Sequence, residues 1–464
     1  MKVCIVGTGY VGLTTGTCLA FLGHDVTCVD VDEAKIESLR AGRIPIYEPY
    51  LDDLLAEAHD KVRFTTDYGE GLNDAEVVVI AVGTPSAADG APDLRFVRAA
   101  ADSIGENLGS GYTVVVNKST VPIGSGNWVD SLVRESFERR SDAAGQFSVA
   151  SNPEFLREGS AIYDTLYPDR VVIGSDDDRG LDVLSRLYRP ILDQSFVPPP
   201  FLQRPAELGA VPLISTDLAS AELIKYSANA FLALKISFIN EIGQLAEKVG
   251  ADILHIARGT GLDQRIGPRF LQPGIGWGGS CFGKDTSAII ATAREYKLDM
   301  PIISAAHETN RRQREIVVDK LLHELRIIKG RTIALLGLAF KPNTDDLRDA
   351  PALEIAQRLL DLGARIRLHD PVAMDRLRAE RPDLAPFLCD SAETAATAAD
   401  ALVLVTEWPQ YLEMQWGKLA AAMRRPIMLD GRYALDPRRL TAAGFRYFAL
   451  AGWNPGGDTV ELDY

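Results

Sequence analysis

Short apolar runs alternate with amphipathic stretches along most of the chain. Residues 3–6 (VCIV), 76–82 (EVVVIAV) and 113–117 (TVVVN) are such runs, and each precedes a turn rich in glycine, threonine or proline. Continuous apolar runs separated by helical stretches are typical of strands buried in a parallel sheet. The pattern therefore predicts an α/β fold whose loops meet at one edge of the sheet, where such sheets bind ligands.

The same pattern returns in the last third of the chain. RTIALLGLAF (331–340) predicts a strand and a glycine turn, ALEIAQRLLDLG (352–363) an amphipathic helix, and ARIRLHDP (364–371) a second strand. ADALVLVTEWP near its end resembles NDAEVVVIAVGTP in the first third. The fold class predicted is α/β, with two Rossmann-like, doubly wound domains joined by a long central helix and a helical middle domain.

The central helix is predicted from Asp217, a plausible N-cap, to Gly250, a plausible stop. It exceeds the usual helix length, so it bridges domains or forms a dimer interface. Residues 195–214 are rich in proline and lack periodicity, which predicts a loop or linker. The resulting division is a first α/β domain at 1–208, a central helical domain at 209–317, and a second α/β domain at 318–464.

Composition limits the classes of function. The 464 residues suit about three domains. With 49 Lys and Arg against 64 Asp and Glu the formal charge is −15, which argues against nucleic-acid and membrane-surface partners. The five cysteines form no CxxC pair, so we expect a reducing, cytoplasmic environment and no metal site. The glycines of the N-terminal apolar stretch argue against a signal peptide.

A glycine turn follows the first predicted strand. Gly7, Gly9 and Gly12 form G-x-G-x-x-G before a helix, and the second strand ends in Asp30, 18 residues after Gly12. The three glycines allow a tight turn, close approach of a pyrophosphate and packing of helix on strand. A carboxylate at Asp30 accepts hydrogen bonds from ribose and repels a 2′-phosphate, so NAD is favoured over NADP. The turn Gly337–Lys341 lacks this motif, and no second NAD is expected there.

One cysteine stands in a different context from the others. Cys281 lies within PGIGWGGSCFGKD, beside Lys284 and Asp285, whereas Cys4, Cys18 and Cys28 lie in apolar segments. A glycine-rich loop can press its backbone against a ligand, and a nearby cation favours the nucleophilic thiolate. A structural cysteine in a glycine-rich surface loop is the alternative.

A nucleophilic cysteine beside a nicotinamide site has a specific use. A thiolate adds to an aldehyde to give a thiohemiacetal, which can lose hydride and become a thioester that water hydrolyses. The two features together predict either an aldehyde dehydrogenase or an enzyme that takes an alcohol to an acid by removing four electrons.

Further polar residues follow the predicted strands or share a helix face. Thr84, Thr120 and Glu154 each follow an apolar run, so we expect them to converge near the cofactor. Lys225 and Asn229 lie four residues apart on the central helix. Taken alone, Lys225 is equally a solvated helix lysine.

Several longer motifs together resemble a known family. MKVCIVGTGYVG, NKSTVP, SNPEFLREGSA, AELIKYSANAFLALKISFINEI, PGIGWGGSCFGKD and GLAFKPNTDDLRDAP are similar to the UDP-glucose/GDP-mannose dehydrogenase family, in order over roughly residues 1–435. The resemblance implies oxidation of UDP-glucose to UDP-glucuronate with two NAD+, through a cysteine thiohemiacetal and thioester. GDP-mannose or a UDP-N-acetyl-aminosugar is the alternative substrate. A two-electron hydroxyacid or hydroxyacyl dehydrogenase and a non-catalytic nucleotide sensor are the rivals.

The resemblance also implies that 1–208 is the NAD-binding domain, that 209–317 is the dimerisation domain with the catalytic cysteine loop, and that 318–464 binds the nucleotide sugar.

It further implies roles for individual residues. Cys281 is the implied nucleophile, Lys225 and Asn229 stabilise the substrate oxyanion, Asp285 and Thr120 position a water, and Glu154 assists thioester hydrolysis. The implied NAD contacts are Gly7, Gly9, Tyr10, Val11, Gly12, Asp30, Lys35, Thr84, Thr120, Glu158, Lys284 and Arg348. The implied substrate contacts are Glu154, Phe155, Leu156, Arg157, Lys225, Asn229, Arg265, Phe270, Leu271, Gln272, Pro273, Gly274, Gly278, Lys341 and Arg432.

Two qualifications accompany this set. Arg265 matches a family arginine that reaches the substrate of a neighbouring subunit, which implies a homodimer or a higher homo-oligomer. Lys35, Arg157 and Arg432 are equally compatible with solvated surface charges.

Overall fold

The structure is a computed structural model, and it describes residues 1–85, 92–141 and 144–451. Its strands are β1 (Lys2–Val6), β2 (Asp25–Val29), β3 (Val62–Thr65), β4 (Val77–Ile80), β5 (Tyr112–Asn117), β6 (Gln146–Ser151), β7 (Val171–Ser175), β8 (Leu213–Thr216), β9 (Thr332–Leu336), β10 (Arg365–His369), β11 (Ala401–Leu404), β12 (Ile427–Asp430) and β13 (Arg446–Ala449).

The α-helices of the described ranges are α1 (Tyr10–Phe21), α2 (Glu33–Arg40), α3 (Leu51–Glu57), α4 (Tyr68–Leu72), α5 (Arg95–Asn107), α6 (Ser125–Glu138), α7 (Ala161–Leu166), α8 (Asp178–Leu192), α9 (Leu218–Val249), α10 (Ile253–Gly261), α11 (Phe282–Glu295), α12 (Pro301–Leu325), α13 (Pro351–Asp361), α14 (Met374–Glu380), α15 (Ala392–Ala396), α16 (Pro409–Leu412), α17 (Trp416–Ala422) and α18 (Pro437–Ala442). Short 3-10 turns lie at His59–Lys61 and Ala385–Phe387. No helix in these ranges is long and apolar enough to cross a membrane.

The first sheet has eight strands in the order β3-β2-β1-β4-β5-β6-β7-β8. Strands β1 to β6 are parallel, β7 is antiparallel to β6, and β8 is parallel to β7. Alternate residues of β1 enter two different cores, because Val3 and Ile5 pack in one cluster while Cys4 and Val6 pack in the other. Both faces of the sheet are therefore covered, which explains the continuous apolar runs and confirms the doubly wound prediction.

The second sheet has five parallel strands in the order β10-β9-β11-β12-β13. The strands are added first on one side of β9 and then on the other, so the strand order reverses between β9 and β11, as it does between β1 and β4 in the first sheet. The two domains are both Rossmann-like, and the α/β fold class is confirmed.

The two sheets repeat one turn in detail. The Gly7 amide donates to the Val29 carbonyl at 2.7 Å, and the Gly337 amide donates to the His369 carbonyl at 2.9 Å. Both glycines have positive φ, +100° and +94°. The weak internal repeat in the sequence therefore corresponds to a shared strand–turn–strand geometry.

Helix α9 has the predicted bounds. The Asp217 carboxylate accepts from the Ser220 amide at 2.8 Å, as an N-cap does, and Gly250 follows the last helical residue with φ +73°. The middle of the chain is more than this one helix, because α10, α11 and most of α12 also lie between residues 250 and 317.

The interpretation of 195–214 as a linker is wrong in part. The segment is irregular as far as Leu213, where β8 begins, but Phe196, Phe201, Leu202 and Leu208 pack on the cluster that contains Leu13 and Tyr167. Aromatic contacts fix it there, with the Phe196 ring 5.8 Å from that of Tyr167. The prolines prevent regular structure, but the apolar side chains between them make the segment part of the first core.

By internal contacts the chain forms two compact units. The first is Met1–Ala228 with Ser287–Tyr296, and the second is Asn229–Thr286 with Lys297–Tyr464. The division at 208/209 and 317/318 stays a prediction.

Candidate active site

The glycine turn after β1 has the shape that a dinucleotide requires. A Cβ on Gly7 would lie 2.7 Å from the Ala81 carbonyl oxygen, and one on Gly12 would lie 1.9 Å from that of Gly7. A Cβ on Gly9 would meet nothing within 4 Å. Gly7 and Gly12 are therefore required by the fold, whereas Gly9 leaves open space in front of the N-terminus of α1, where a pyrophosphate binds.

Asp30 lies at the end of β2, beside this turn. Its Oδ2 accepts from the Thr8 amide at 2.8 Å and the Thr8 hydroxyl at 2.7 Å, and the Lys35 ammonium lies 3.4 Å away. Burial alone raises the pKa of Asp30, but the hydrogen bonds from Thr8 and Asp32 outweigh it, and the net pKa is lowered. The carboxylate is thus held charged, as an acceptor for ribose must be, and Lys35 is half-buried and paired rather than solvated.

Thr84 and Thr120 are brought together as predicted. The Thr84 hydroxyl donates to the Thr120 carbonyl at 2.9 Å, which joins the loops after β4 and β5. Both loops leave the same edge of the sheet, next to the glycine turn after β1.

Glu154 and Lys225 form a buried ion pair. The Lys225 ammonium donates to Glu154 Oε1 at 2.8 Å, and 5% and 6% of the two side chains are exposed. The second carboxylate oxygen accepts from the Leu156 amide at 2.9 Å. The reading of Lys225 as a solvated helix lysine is therefore wrong.

A second buried lysine, missed from the sequence, belongs to this cluster. Lys118 is 8% exposed and donates to Asn152 Oδ1 at 2.9 Å. Burial lowers its pKa to about 8, Glu154 counteracts this, and Lys225 adds to it. The sequence signal was its place in NKSTVP, directly after β5, where side chains reach the edge that binds ligands.

The Phe155 ring lies close to two cations. The Arg170 guanidinium carbon is 3.8 Å from the ring centroid and the Lys225 ammonium is 5.4 Å from it. Burial lowers the pKa of Arg170. Arg157 in contrast is exposed and pairs with Asp164 at 2.7 Å, which agrees with the alternative interpretation of Arg157 as a surface charge. Half-buried Glu158 follows it.

In the second unit, Cys281 directly precedes α11. Its carbonyl accepts from the Asp285 amide at 2.8 Å, which is the first hydrogen bond of the helix. Lys284 and Asp285 are thus in the first turn of α11 and not in the glycine-rich loop that the sequence pattern predicts. A helix N-terminus favours a thiolate. Cys4, Cys18 and Cys28 are fully buried in the first unit, as predicted.

Asp285 is completely buried and has two partners. Its Oδ2 accepts from the Asn229 side-chain amide at 2.6 Å, and its Oδ1 lies 2.9 Å from the Lys284 ammonium. Asn229 and Lys284 therefore both contact Asp285, and the resemblance implied all three as functional.

The glycines before Cys281 have structural neighbours. A Cβ on Gly278 would lie 2.3 Å from the Asp349 carbonyl, one on Gly279 2.7 Å from the Phe340 ring, and one on Gly274 3.0 Å from the Gly431 carbonyl. The sequence pattern predicts that these glycines press backbone against a ligand, but here they press it against protein atoms in the loops that follow β9 and β12.

Arg432 holds the same loop and is mostly buried. Its guanidinium donates to the Val405 carbonyl at 2.8 Å and to the Gly276 and Phe340 carbonyls at 3.3 Å, so the surface-charge reading is wrong for it. Lys341 adjoins the Phe340 ring at 5.6 Å. Phe270 adopts a left-handed backbone (φ +65°), while Leu271, Pro273 and Gly274 are buried and Gln272 is half-buried.

Arg348 and Arg265 are bound within their own loops. Arg348 pairs with Asp346 at 2.7 Å, and its carbonyl accepts from the Gly279 amide at 3.0 Å. Arg265 pairs with Asp263 at 2.6 Å, and its side chain is 88% exposed. Within the described residues no group of three or more His, Cys, Asp or Glu side chains could hold a metal ion.

These features define a protein with a Rossmann dinucleotide site in its first domain and a second Rossmann-like domain that lacks the motif. Residues 1–192 match the NAD binding domain of the UDP-glucose/GDP-mannose dehydrogenase family, residues 219–312 its central domain, and residues 334–437 its UDP binding domain. The chain belongs to the UDP-glucose/GDP-mannose dehydrogenase family, which confirms the resemblance and NAD as the cofactor.

Individual relatives agree over nearly the whole chain. A UDP-glucose 6-dehydrogenase of Bacillus subtilis is 45% identical over 97% of this chain and 93% of the relative, and one of Rhizobium meliloti is 45% identical over 97% and 99%. The structure of a UDP-glucose dehydrogenase from Pyrobaculum islandicum superposes with a TM-score of 0.86 at 38% identity, covering 97% of both chains.

Proposed function

We propose that the chain oxidises UDP-glucose with two NAD+ and water to UDP-glucuronate and two NADH. The observation that carries this is Cys281 at the start of α11, one helical turn before the buried Asp285–Asn229 pair. A nucleophilic thiol is needed only if an aldehyde is taken on to an acid. The two UDP-glucose 6-dehydrogenases at 45% identity support the choice of sugar.

The first oxidation converts the primary alcohol of the sugar to an aldehyde. Bound NAD+ would supply the hydride acceptor for this carbon, and the hydroxyl loses a proton. We assign Asp285, through a water positioned with Thr120, to take that proton. Lys225 and Asn229 stabilise the negative charge that develops on the oxygen, since fixed donors in a dry site are worth most where charge develops.

The second oxidation uses Cys281. Its thiolate forms a C–S bond to the aldehyde carbon, and the resulting thiohemiacetal gives up a hydride to a second NAD+ to become a thioester. Water then breaks the C–S bond, and the acid and the thiol are released. Glu154 assists this hydrolysis, directly or through water, and its pairing with Lys225 keeps it placed for that task.

NAD fits the first domain by its own geometry. The space in front of Gly9 admits the pyrophosphate, and the charged Asp30 is placed for the adenine ribose. Further contacts are assigned to residues around this turn, to the adjacent loops and to two residues of the second unit: Gly7, Tyr10, Val11, Gly12, Lys35, Thr84, Thr120, Glu158, Lys284 and Arg348.

The nucleotide sugar is assigned to residues that the family resemblance supports. They belong to the loop after β6, to helix α9, to the loop before Cys281 and to the second sheet: Glu154, Phe155, Leu156, Arg157, Lys225, Asn229, Phe270, Leu271, Gln272, Pro273, Gly274, Gly278, Lys341 and Arg432. The buried position of Arg432, which bonds the loop at Gly276, supports its inclusion.

We propose that two copies associate through the exposed face of α9. Phe231, Phe238 and Leu245 follow one another at intervals of seven residues, and their exposed fractions in the single chain are 60%, 46% and 60%. Heptad spacing places them along one stripe of the helix, as in helices that pair. Exposed Arg265, which pairs with Asp263 in the single chain, is assigned to the substrate of the partner subunit. A cytoplasmic location is proposed because the five cysteines are few and widely spaced and form no CxxC pair.

A panel of nucleotide sugars with NAD+ or NADP+ tests the substrate assignment. UDP-glucose with NAD+ is expected to give the highest kcat/KM. A higher value for GDP-mannose or a UDP-N-acetyl-aminosugar would replace UDP-glucose as the substrate.

A further inference from the structure

One buried carboxylate of the first unit has no part in the proposed chemistry. Glu48 lies between α2 and α3 and is 6% exposed, whereas its neighbours Tyr47 and Tyr50 are 41% and 47% exposed. This inverts the usual preference, because glutamate is rarely buried and tyrosine often is. A carboxylate is buried only where hydrogen-bond donors compensate for the lost water.

The donors come from two distant segments. Glu48 Oε1 accepts from the Ala161 amide at 2.6 Å, and Oε2 accepts from the Gly159 amide at 2.6 Å and from the Tyr10 hydroxyl. The Gly159 amide also lies 2.8 Å from the Tyr10 hydroxyl oxygen. Glu48 therefore joins residue 10 to residues 159–161.

Both segments contain or adjoin residues assigned above to NAD binding. Tyr10 is the first residue of α1, directly after Gly9, and Gly159 directly follows Glu158. Tyr10 and Gly159 are 149 residues apart in the chain, and Glu48 bonds to both of them. A charged acceptor with several donors is the strongest kind of hydrogen-bonded junction available there.

We propose that Glu48 is a positioning residue of the cofactor site, which holds the start of α1 and the loop at Glu158 in the arrangement that binds NAD+. It acts through Tyr10 and the Gly159–Ala161 backbone. The identity of the cofactor rests on the family assignment, but the proposal does not depend on which sugar is oxidised.

A positioning role has a characteristic effect on kinetics. A preorganised site loses less freedom on binding, so loosening it weakens NAD+ binding while the chemical groups stay in place. Glu48→Gln replaces an acceptor oxygen by an NH2 group facing N–H or O–H donors. We expect the KM for NAD+ to rise about tenfold, which corresponds to about 1.4 kcal/mol, with kcat and the KM for the sugar changed less than twofold.

The test is direct titration of NAD+ by calorimetry, without nucleotide sugar. Wild type, Glu48→Gln, Tyr10→Phe and the double variant are compared. Each single variant is expected to raise the Kd for NAD+ about tenfold. The Kd of the double variant should not exceed that of the weaker-binding single variant, because both changes break the same contact. Fully additive losses, or an unchanged Kd in Glu48→Gln, would overturn the proposal.

Glu222→Gln is the matched control. Glu222 is also buried, in the same unit, and accepts from two backbone amides, those of Gly124 and Gly126 at 2.6 and 2.8 Å. The Glu222→Gln variant should bind NAD+ with the affinity of wild type. An equal loss of affinity in this variant would show that removing any buried carboxylate of the unit weakens NAD+ binding. If Glu48→Gln does not fold, an unchanged Kd in Tyr10→Phe overturns the proposal. If the effects of Glu48→Gln and Tyr10→Phe on NAD+ binding are non-additive but the wild type does not oxidise UDP-glucose, only the proposed function is contradicted.

Discussion

The ammonium of Lys225 and the carboxylate of Glu154 lie 2.8 Å apart, and both side chains are almost fully buried. Opposite charges taken out of water together depend on each other, since either one alone is left without compensation. The same two groups carry different proposed tasks, oxyanion stabilisation and thioester hydrolysis. Their contributions to folding and to catalysis can therefore be separated by substitution.

The first prediction separates the contributions of Lys225 and Glu154 to stability from their contributions to catalysis. Lys225→Met is expected to destabilise the fold by about 3 kcal/mol, because Glu154 stays buried without its cation. The double variant Lys225→Met/Glu154→Gln should regain most of that loss, while kcat stays at least about a hundredfold below wild type in both. Chemical denaturation with parallel assays measures this. Equal stability of the single and double variants would contradict a direct pairing.

The second prediction concerns Cys281. Cys281→Ser is expected to reduce turnover to UDP-glucuronate by about a thousandfold or more, because a serine hydroxyl is a far weaker nucleophile at neutral pH. Cys389→Ser in the second domain is the control, since Cys389 is half-buried beside the Phe387 carbonyl and has no assigned role. Product formation followed by chromatography decides it, and comparable activity in both variants would remove Cys281 from the mechanism.

The third prediction compares the two aspartates that follow the second strand of each sheet. Asp30→Ser should shift the ratio of kcat/KM for NAD+ over NADP+ toward NADP+ by about tenfold or more, since the carboxylate repels a 2′-phosphate. Asp370→Asn should leave that ratio unchanged and lower stability. Its carboxylate is fully buried and accepts from the Leu338, Ala339, Val372 and Ala373 amides and from the Trp408 ring.

These two aspartates also show how far the sequence reaches. The strand, turn and strand of both domains are predictable, because apolar periodicity and glycine placement are local signals. The structural role of Asp370 is not predictable in this way, since one of its hydrogen-bond donors, Trp408, is distant in sequence. Burial of Lys118, packing of residues 195–214 and the contacts of Gly278 likewise depend on neighbours brought together only by folding.

The candidate site was predictable for a different reason. Cys281, Lys225 and Asp285 came from a family resemblance over long motifs, whereas spacing alone left both Cys281 and Lys225 open. The start of α11 at Phe282 was missed, because glycines up to Gly283 obscure the helical pattern. Glu48 carries no local signal, since its donors Tyr10, Gly159 and Ala161 are distant from it in the sequence.

The fourth prediction is a pH dependence of stability. Burial raises the pKa of Glu222 to about 7, although the Gly124 and Gly126 amides oppose this. The folded state therefore holds a proton that the unfolded state releases near pH 4.5, and stability falls as pH rises from there to about 7. Relative to Glu222→Gln, the unfolding free energy of wild type should drop by up to about 3 kcal/mol across that window. A constant difference from pH 4 to 8 would contradict the raised pKa.

The fifth prediction tests the pairing of α9. Phe238→Glu should lower the mass measured by light scattering from that of a dimer or larger assembly toward one chain, because a charge would enter the apolar stripe. Phe96→Glu is the control, since Phe96 is 53% exposed on α5 and outside the stripe. An unchanged mass for Phe238→Glu, or an equal effect of Phe96→Glu, would reject α9 as the interface.

The central claim is that one active site removes four electrons from one sugar. The most direct measurement is the amount of NADH formed per UDP-glucose consumed, with the sugar limiting and NAD+ in excess. Two NADH per sugar, with UDP-glucuronate as the product, is the predicted result. One NADH per sugar, with the reaction ending at an aldehyde or another two-electron product, would contradict it.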